Sequence, residues 1–425
     1  MEHFDYVIIG CSAAGVGGVE GVRRHDLEGS IAVIGEEALF PYCRCLLPGL
    51  IEGKVTDRTL SIRPAKFFEN NEAEVRLGQK VKGLDIATRK VRMEDGSWVG
   101  YRRLLLATGS SAMLPDIPGR DLPGSHVLRT VKDAQAIMAD ASSAEAAVVV
   151  GGGLVGINTA IALCRRGLRT SLVVLSPHVL SRNLDQGAAE ILARHLSENG
   201  IEVFLRMEVV ELVGQARVQG ARLSDGRILA CGLVISAKGV RANADLASVA
   251  GIEVDRGILV DDRMMTSAAG VFAAGDVAEA RDLIGGGRAT MTVWPVAAEQ
   301  GRVAGENMAG ADVAYPGGVM LGTADFFGLP VVSIGDHQDL RGGQMREEVL
   351  ERDDIMKRYR RVVRRDGRTV GAILVGGTEG TGSLVRMPCT RVDMREVRGL
   401  LLKEGFDFEA MARALLTRPP SHHEE

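Results

Sequence analysis

With 425 residues, 46% of them hydrophobic and 25% charged, the chain is too long for one ordinary domain and apolar enough to bury more than one core. A formal net charge of −4 and a pI near 6.1 give no general attraction for nucleic acid or an anionic membrane. Six cysteines without regular spacing do not make a secreted disulfide framework, and the acidic and aromatic residues before the first apolar run do not make a secretory signal, so the expectation is a reduced, cytoplasmic compartment.

The apolar run Tyr6-Val7-Ile8-Ile9 meets Gly10-Cys11-Ser12-Ala13-Ala14-Gly15, which predicts a strand over 5–9, a tight turn, and a helix over 14–24. In that arrangement the free N–H groups of the first helical turn point where a pyrophosphate can sit. The next strand, 31–34, ends at Gly35-Glu36-Glu37; Glu36 is the expected acceptor for a ribose hydroxyl, with Glu37 beside it. Phe40-Pro41-Tyr42 then leads into Cys43-Arg44-Cys45-Leu46-Leu47-Pro48-Gly49 and a polar hairpin region through Gly96. A strand over 103–106 runs into Ala107-Thr108-Gly109-Ser110, another close backbone turn.

After a breaker-rich linker, 119–124, the first pattern returns about 140 residues further on, as Ala147-Val148-Val149-Val150 followed by Gly151-Gly152-Gly153-Leu154-Val155-Gly156. The apolar window 144–164 contains Glu145, Asn158 and four glycines, so it is a strand, phosphate turn and helix and not a membrane span. Two such turns point to two dinucleotides in one chain. The second strand of this unit, 171–175, ends Val173-Val174-Leu175-Ser176 with no acid for a ribose; the missing acid is expected at Val174, and His178 and Arg182 are the nearest cations. Modest discrimination between a 2′-hydroxyl and a 2′-phosphate on that ribose is therefore expected.

Ile235-Ser236-Ala237-Lys238-Gly239 brings the chain back, and 270–276 is a short buried strand ending in Gly275-Asp276. A helix over 297–308 follows Trp294-Pro295. From about 313 the composition favours an α+β region, with strands near 331–334 and 369–375 and a helix near 394–403. Its arginine run, Arg358, Arg360, Arg361, Arg364, Arg365 and Arg368, is either a solvated surface around Asp366-Gly367 or a docking site. Boundaries are expected at 1–118 with 238–312, 119–237, and 313–425.

The ordered set Gly10…Gly15, Ala107-Thr108-Gly109, Gly151…Gly156 and Ala274-Gly275-Asp276 resembles the pyridine nucleotide-disulfide oxidoreductases. The tracts 40–47, 329–335 and 371–376 are similar to the NADH:rubredoxin reductase branch and the flavin portion of assimilatory nitrite reductases. The resemblance implies an α/β fold with two Rossmann-type domains, one for FAD and one for NAD(P)H, and a C-terminal α+β domain. It places Gly10, Ser12, Gly15, Arg44, Thr108, Gly109 and Gly275 around FAD, with Asp276 on the ribityl chain and the helix opened by Trp294 aimed at the flavin ring. It places Gly151, Gly153, Gly156, Asn158 and Gly239 around NAD(P)H, Asn158 standing where many relatives carry glutamate. Ser12 replaces the middle glycine of the first turn, which implies displaced or hydroxyl-assisted phosphate contact.

The implied activity is electron transfer from NAD(P)H through FAD to a small redox protein or Fe–S subunit, in a homodimer or a larger complex. One alternative is a coenzyme A disulfide or persulfide reductase using Cys45, which falls where such relatives keep a lone flavin-facing cysteine, with Arg44 lowering its pKa. The other is an FAD relay subunit that hardly meets free nucleotide. The plain reading of Cys43 and Cys45 is small residues near the flavin; Cys11, Cys164 and Cys231 are expected to pack, Cys389 is unassigned, and His422-His423 is expected to be tail. No cluster has metal-ligand spacing.

Overall fold

The computed structural model describes residues 1–336, 345–365 and 368–377. Strands β1 (Glu2–Ile9), β2 (Ile31–Gly35), β3 (Ala73–Leu77), β4 (Val81–Asp85), β5 (Lys90–Met93) and β6 (Trp98–Leu106) form a sheet in the order β3-β2-β1-β6-β5-β4. β1 runs parallel to both neighbours, Tyr6 lying opposite Ile31 and Arg103. All of β2 is buried, which accounts for its continuous apolar run: a parallel strand covered on both faces has no polar side to display. Helix α1 (Ala13–Arg23) crosses over between β1 and β2.

A second, fully parallel sheet repeats the plan with β7 (Ser125–Val127), β8 (Ala146–Val150), β9 (Arg169–Val174), β10 (Ile201–Leu205) and β11 (Leu233–Ser236), in the order β10-β9-β8-β11-β7. Its helices are α2 (Val131–Ala141), α3 (Leu154–Arg165) and α4 (Gln186–Glu198). The chain then returns to the first sheet, where β12 (Val271–Ala273) pairs in parallel with the end of β6. Helix α5 (Trp294–Met308) begins three residues earlier than the sequence suggested, with Pro295 in its first turn where no N–H is needed. Strand β9 stops at Val174, one residue short of expectation.

α1 and α5 pack backbone against backbone. A Cβ on Gly17 or Gly21 would overlap the carbonyl of Ala298 or Arg302, and one on Gly301 or Gly305 would overlap that of Ala14 or Gly18. These contacts advance together along both helices, so α1 and α5 run parallel and present their N-terminal ends on the same side.

The C-terminal region is an antiparallel sheet of β13 (Leu321–Phe326), β14 (Leu329–Gly335), β15 (Met345–Asp353), β16 (Arg358–Arg365) and β17 (Arg368–Val375), ordered β13-β14-β17-β16-β15. Much of its arginine run is used internally: Arg361 is buried and pairs with Asp185 at 2.9 Å, Arg365 with Asp336 at 2.8 Å, and Arg360 with Glu351 at 3.5 Å. Those guanidinium groups are committed inside the molecule, which departs from both the solvated-surface and the docking-site reading for Arg361 and Arg365. Asp366-Gly367, Cys389, the expected helix near 394–403 and His422-His423 lie outside the described residues. Among the described residues no helix is long and apolar enough to cross a membrane, and no group of three or more His, Cys, Asp or Glu is placed to hold a metal.

Candidate dinucleotide and electron-transfer site

The first turn has the shape its sequence requires. Gly10 sits at φ +116°, a conformation closed to most side chains, donates to the Ile34 carbonyl at 2.8 Å, and leaves no room for a Cβ beside the carbonyl of Ala107. Gly15 is packed as tightly on the Gly10 carbonyl. Ser12 caps α1 in extended conformation; its carbonyl accepts the Val16 amide at 2.9 Å, while its hydroxyl makes no capping bond and stays available to a ligand. Across from this turn, the Thr108 hydroxyl donates to the Asn243 carbonyl at 2.8 Å and Gly109 adopts φ +68°, with open space where a Cβ would be.

Gly275 and Asp276 lie where the two parallel helices begin. A Cβ on Gly275 would meet those of Ala14 at 3.0 Å and Ala297 at 3.5 Å, and its amide donates to Gln300 Oε1 at 2.9 Å. The Asp276 carboxylate accepts from the Ser110 hydroxyl at 2.7 Å and from Arg129 at 2.6 Å. Arg129 also donates to the Ser110 carbonyl at 3.0 Å, and its own carbonyl accepts from Arg44. Arg44 continues to Glu37 and Tyr42, whose hydroxyl donates to Glu37 at 2.6 Å. One polar chain thus runs from the end of β2 to Asp276, beside a cavity of about 210 Å³ lined by Ser110, Met113, Arg241, Asp276, Thr290 and Thr292.

Arg129 was not foreseen. Its signal was its place directly before Thr130, whose side chain and that of Asp133 form a reciprocal cap on α2. An arginine fixed in front of a capped helix points outward from a rigid base.

Of the two acids after β2, Glu36 is exposed and pairs with Lys80, whereas Glu37 is committed to Tyr42 and Arg44. Arg44 does not activate Cys45 as expected, because its guanidinium is turned to Glu37, Tyr42 and the Arg129 carbonyl. The thiols also divide differently. The Cys45 thiol and the amides of Cys45 and Leu46 lower the Cys43 pKa to about 6, while the same thiol contact and burial raise that of Cys45. Cys45 remains beside the site, within reach of the charges of Arg129 and Asp276. Burial raises the Cys11 and Cys231 thiols to about 12 and also raises Cys164, in keeping with packing roles.

The second turn repeats the first. Gly151 has φ +122°, donates to the Val173 carbonyl at 2.8 Å, and has no room for a Cβ next to the Ala237 carbonyl; Gly156 packs on the Gly151 carbonyl. Gly153 caps α3 with open space around it. Asn158 donates to the Leu154 carbonyl of its own helix at 2.9 Å. Gly239, at φ +105°, follows Lys238, which pairs with Glu208 at 2.6 Å. The position expected to need an acid, Val174, is instead core: it is 1% exposed and packs where a Gly152 Cβ would lie. The residue at the surface of the strand end is Leu175, 61% exposed.

These residues fit the groups they were expected to hold. The indole N–H of Trp294, at the start of α5, is buried with no acceptor among the described residues, and the start of α1 offers the Ser12 hydroxyl and its free amides. A fused ring with polar edges and a pyrophosphate supplies acceptors to all of them.

Residues 4–301 match the pyridine nucleotide-disulphide oxidoreductase family, and the chain belongs to it: an oxidoreductase of the class that binds FAD and NAD(P)H. Residues 323–386 match the rubredoxin NAD+ reductase C-terminal domain. The chain is 34% identical over 401 residues to the NADH-dependent phenylglyoxylate dehydrogenase subunit epsilon of Aromatoleum evansii, covering 94% of each chain. It is 30% identical over 408 residues to the nitrite reductase [NAD(P)H] of Bacillus subtilis, covering 95% of this chain but only 49% of that one. Among solved structures, the ferredoxin reductase for the CYP199A2 system from Rhodopseudomonas palustris superposes with a TM-score of 0.86 at 25% identity, over 96% of this chain and 100% of that one.

Proposed function

We propose that the chain takes electrons from NAD(P)H onto FAD and hands them to a small redox protein or Fe–S subunit. In this reading 1–118 and 238–312 hold FAD, 119–237 hold the nicotinamide nucleotide, and 313–425 complete the molecule. A bound flavin accepts a hydride and releases electrons singly, so it joins a two-electron donor to a one-electron acceptor. The residues supply the setting. Gly10, Ser12 and Gly15 cradle the pyrophosphate at the start of α1, Glu36 takes the adenosine ribose, and Asp276, held by Arg129 and Ser110, takes the ribityl hydroxyls. The N-terminus of α5, with the Trp294 N–H, faces the ring edge where negative charge gathers on reduction.

The observation that carries the acceptor is the pairing of this site with a C-terminal sheet of the rubredoxin NAD+ reductase type. The test is anaerobic: the purified yellow protein is mixed with NADH or NADPH, flavin bleaching is followed, and a rubredoxin, a [2Fe–2S] ferredoxin and coenzyme A disulfide are offered in turn. Fast bleaching and rapid reduction of at least one iron–sulfur or rubredoxin acceptor are expected. Turnover of the disulfide alone, abolished in Cys45→Ser, would instead establish the thiol enzyme.

A second reading is an electron-relay subunit of a larger complex, supported by the near full-length similarity to a subunit of the phenylglyoxylate dehydrogenase. The native mass of the protein isolated from its source separates a free monomer or homodimer from such an assembly.

A further inference from the structure

We propose that the C-terminal sheet sets the nucleotide affinity of the second glycine turn through one strut, the bond between Ser333 and Asn183, which makes Asn183 a positioning residue for Gly151-Gly152-Gly153. The inference rests on the reading above that 119–237 hold the nicotinamide nucleotide, and it gives the C-terminal sheet a part in that binding.

The turn depends on outside support. Its three residues are glycines, so no side chain of its own wedges the backbone in place. Gly151 is tied to β9 by its amide, and the Gly152 carbonyl accepts the Leu180 amide at 2.7 Å from the loop between β9 and α4. That amide is aimed by an unfavourable backbone: Leu180 is 2% exposed and sits at φ +48°, which bulky residues rarely adopt. Such a residue persists only where its surroundings over-determine it.

Two of the constraints are local. The Asn183 and Leu184 amides close on the Leu180 carbonyl at 2.7 and 2.8 Å, and Asp185 ends the loop by capping α4, where it accepts the Ala188 amide at 2.9 Å. The third comes from the other end of the chain. The Asn183 side-chain amide donates to the Ser333 hydroxyl of β14 at 3.1 Å, and Ser333 is 3% exposed. The fit there is close. A Cβ on Gly322, opposite Ser333 in β13, would lie 2.9 Å from that hydroxyl, 3.0 Å from the Asn183 side-chain nitrogen and 3.6 Å from Leu154, the first residue of α3. The C-terminal sheet therefore meets both the loop that supports the turn and the helix that follows it.

Breaking the strut frees the loop to relax toward ordinary backbone and withdraws the Leu180 N–H from Gly152. The turn must then be ordered by the ligand, and the affinity falls by that cost. One buried hydrogen bond corresponds to about three- to tenfold. The residues around the flavin lie elsewhere, so the strut acts on binding and not on the rate once the nucleotide is bound.

The test titrates the FAD-loaded protein with ADP-ribose by calorimetry and follows anaerobic flavin bleaching over a range of NADH and of NADPH concentrations. Asn183→Ala and Ser333→Ala should each weaken ADP-ribose, and raise the half-saturating nucleotide concentration, about three- to tenfold, with the limiting bleaching rate kept within about twofold. The double variant should lose no more than either single one, because both remove the same bond. Lys357→Met cuts a different tie between the same sheet and α4, to His195 and Glu198, and should lower the melting temperature without moving either titration. Flavin absorbance and melting temperature report whether each variant is folded. Wild-type affinity in folded Asn183→Ala and Ser333→Ala, losses that add in the double variant, or an equal loss in Lys357→Met would overturn the strut, as would failure of ADP-ribose to bind the wild type. If ADP-ribose binds and neither nucleotide bleaches the flavin, the proposed function falls instead, and the ADP-ribose titration still decides the strut.

Discussion

Cys43 and Cys45 show how two like side chains two positions apart acquire opposite chemistry. The short 3-10 turn Arg44–Leu46 places Cys43 at its N-terminal cap, where amides favour the thiolate, and turns the Cys45 thiol toward it as donor. Because the Cys43 pKa is lowered to about 6, its thiolate fraction grows as pH rises through 6, while Cys45 stays protonated above neutrality. Iodoacetamide should therefore label Cys43 with a half-maximal rate near pH 6 and leave Cys45 largely unmodified at pH 8, as peptide mass spectrometry would show; dominant labelling of Cys45 would refute this arrangement. The sequence exposed the pair but not the division of labour, since the partner of Arg44 was decided by Glu37 and the Arg129 carbonyl. The same difficulty shifted the missing acid by one residue: strand periodicity locates an end only to within a residue, and one residue separates buried Val174 from exposed Leu175.

Among the elements, the parallel pair α1 and α5 positions the site most directly. Their glycines, Gly17 and Gly21 in one and Gly301 and Gly305 in the other, recur every four residues, which puts them on one face of each helix. That stripe was visible in the sequence, but its meaning was not, because the partner helix lies at the other end of the chain. Gly301→Ala would drive a methyl group into the Ala14 carbonyl and force the helices apart, at a cost of about 1 to 3 kcal/mol or more. It should lower the melting temperature by several degrees and release FAD, whereas Gly287→Ala, which meets nothing within 4 Å, should do neither; scanning calorimetry and flavin absorbance compare the two. The strand–turn–helix units were legible because they are local patterns. Arg129 was not, because its role depends on Ser110 and Asp276.

For the whole molecule, the C-terminal sheet is tied to α4 of the second sheet by a row of polar contacts. The His195 Nε2 meets the Phe326 carbonyl at 3.0 Å, and Lys357 reaches both His195 Nδ1 at 2.9 Å and Glu198 at 2.5 Å. Arg361 anchors the row, 5% exposed against an Asp185 that also accepts the Tyr359 hydroxyl. Arg361→Ala would leave that half-buried carboxylate without its cationic partner, costing about 3 kcal/mol, while Arg352→Ala at the exposed pair with Glu190 should cost less than about 1 kcal/mol. Urea unfolding of the two variants checks the difference; equal effects would show that the buried pair is not the anchor. Composition alone suggested a positive surface, because the acids that neutralise the arginines are distant in sequence.

The parallel contact of α1 and α5 also sets a schedule for biosynthesis. On the ribosome α1 emerges with the first strands, but its partner is not made until Met308, after the entire second sheet through Ser236 has left the tunnel. At elongation rates of about 5 to 20 residues per second, the roughly seventy residues between those points take about 4 to 14 seconds. Throughout that interval the nascent chain can complete the nucleotide-binding sheet and cannot complete the flavin cradle. Flavin capture therefore waits until α5 has emerged, and the glycine face of α1 stays unpaired until then, open to chaperones and to mispairing.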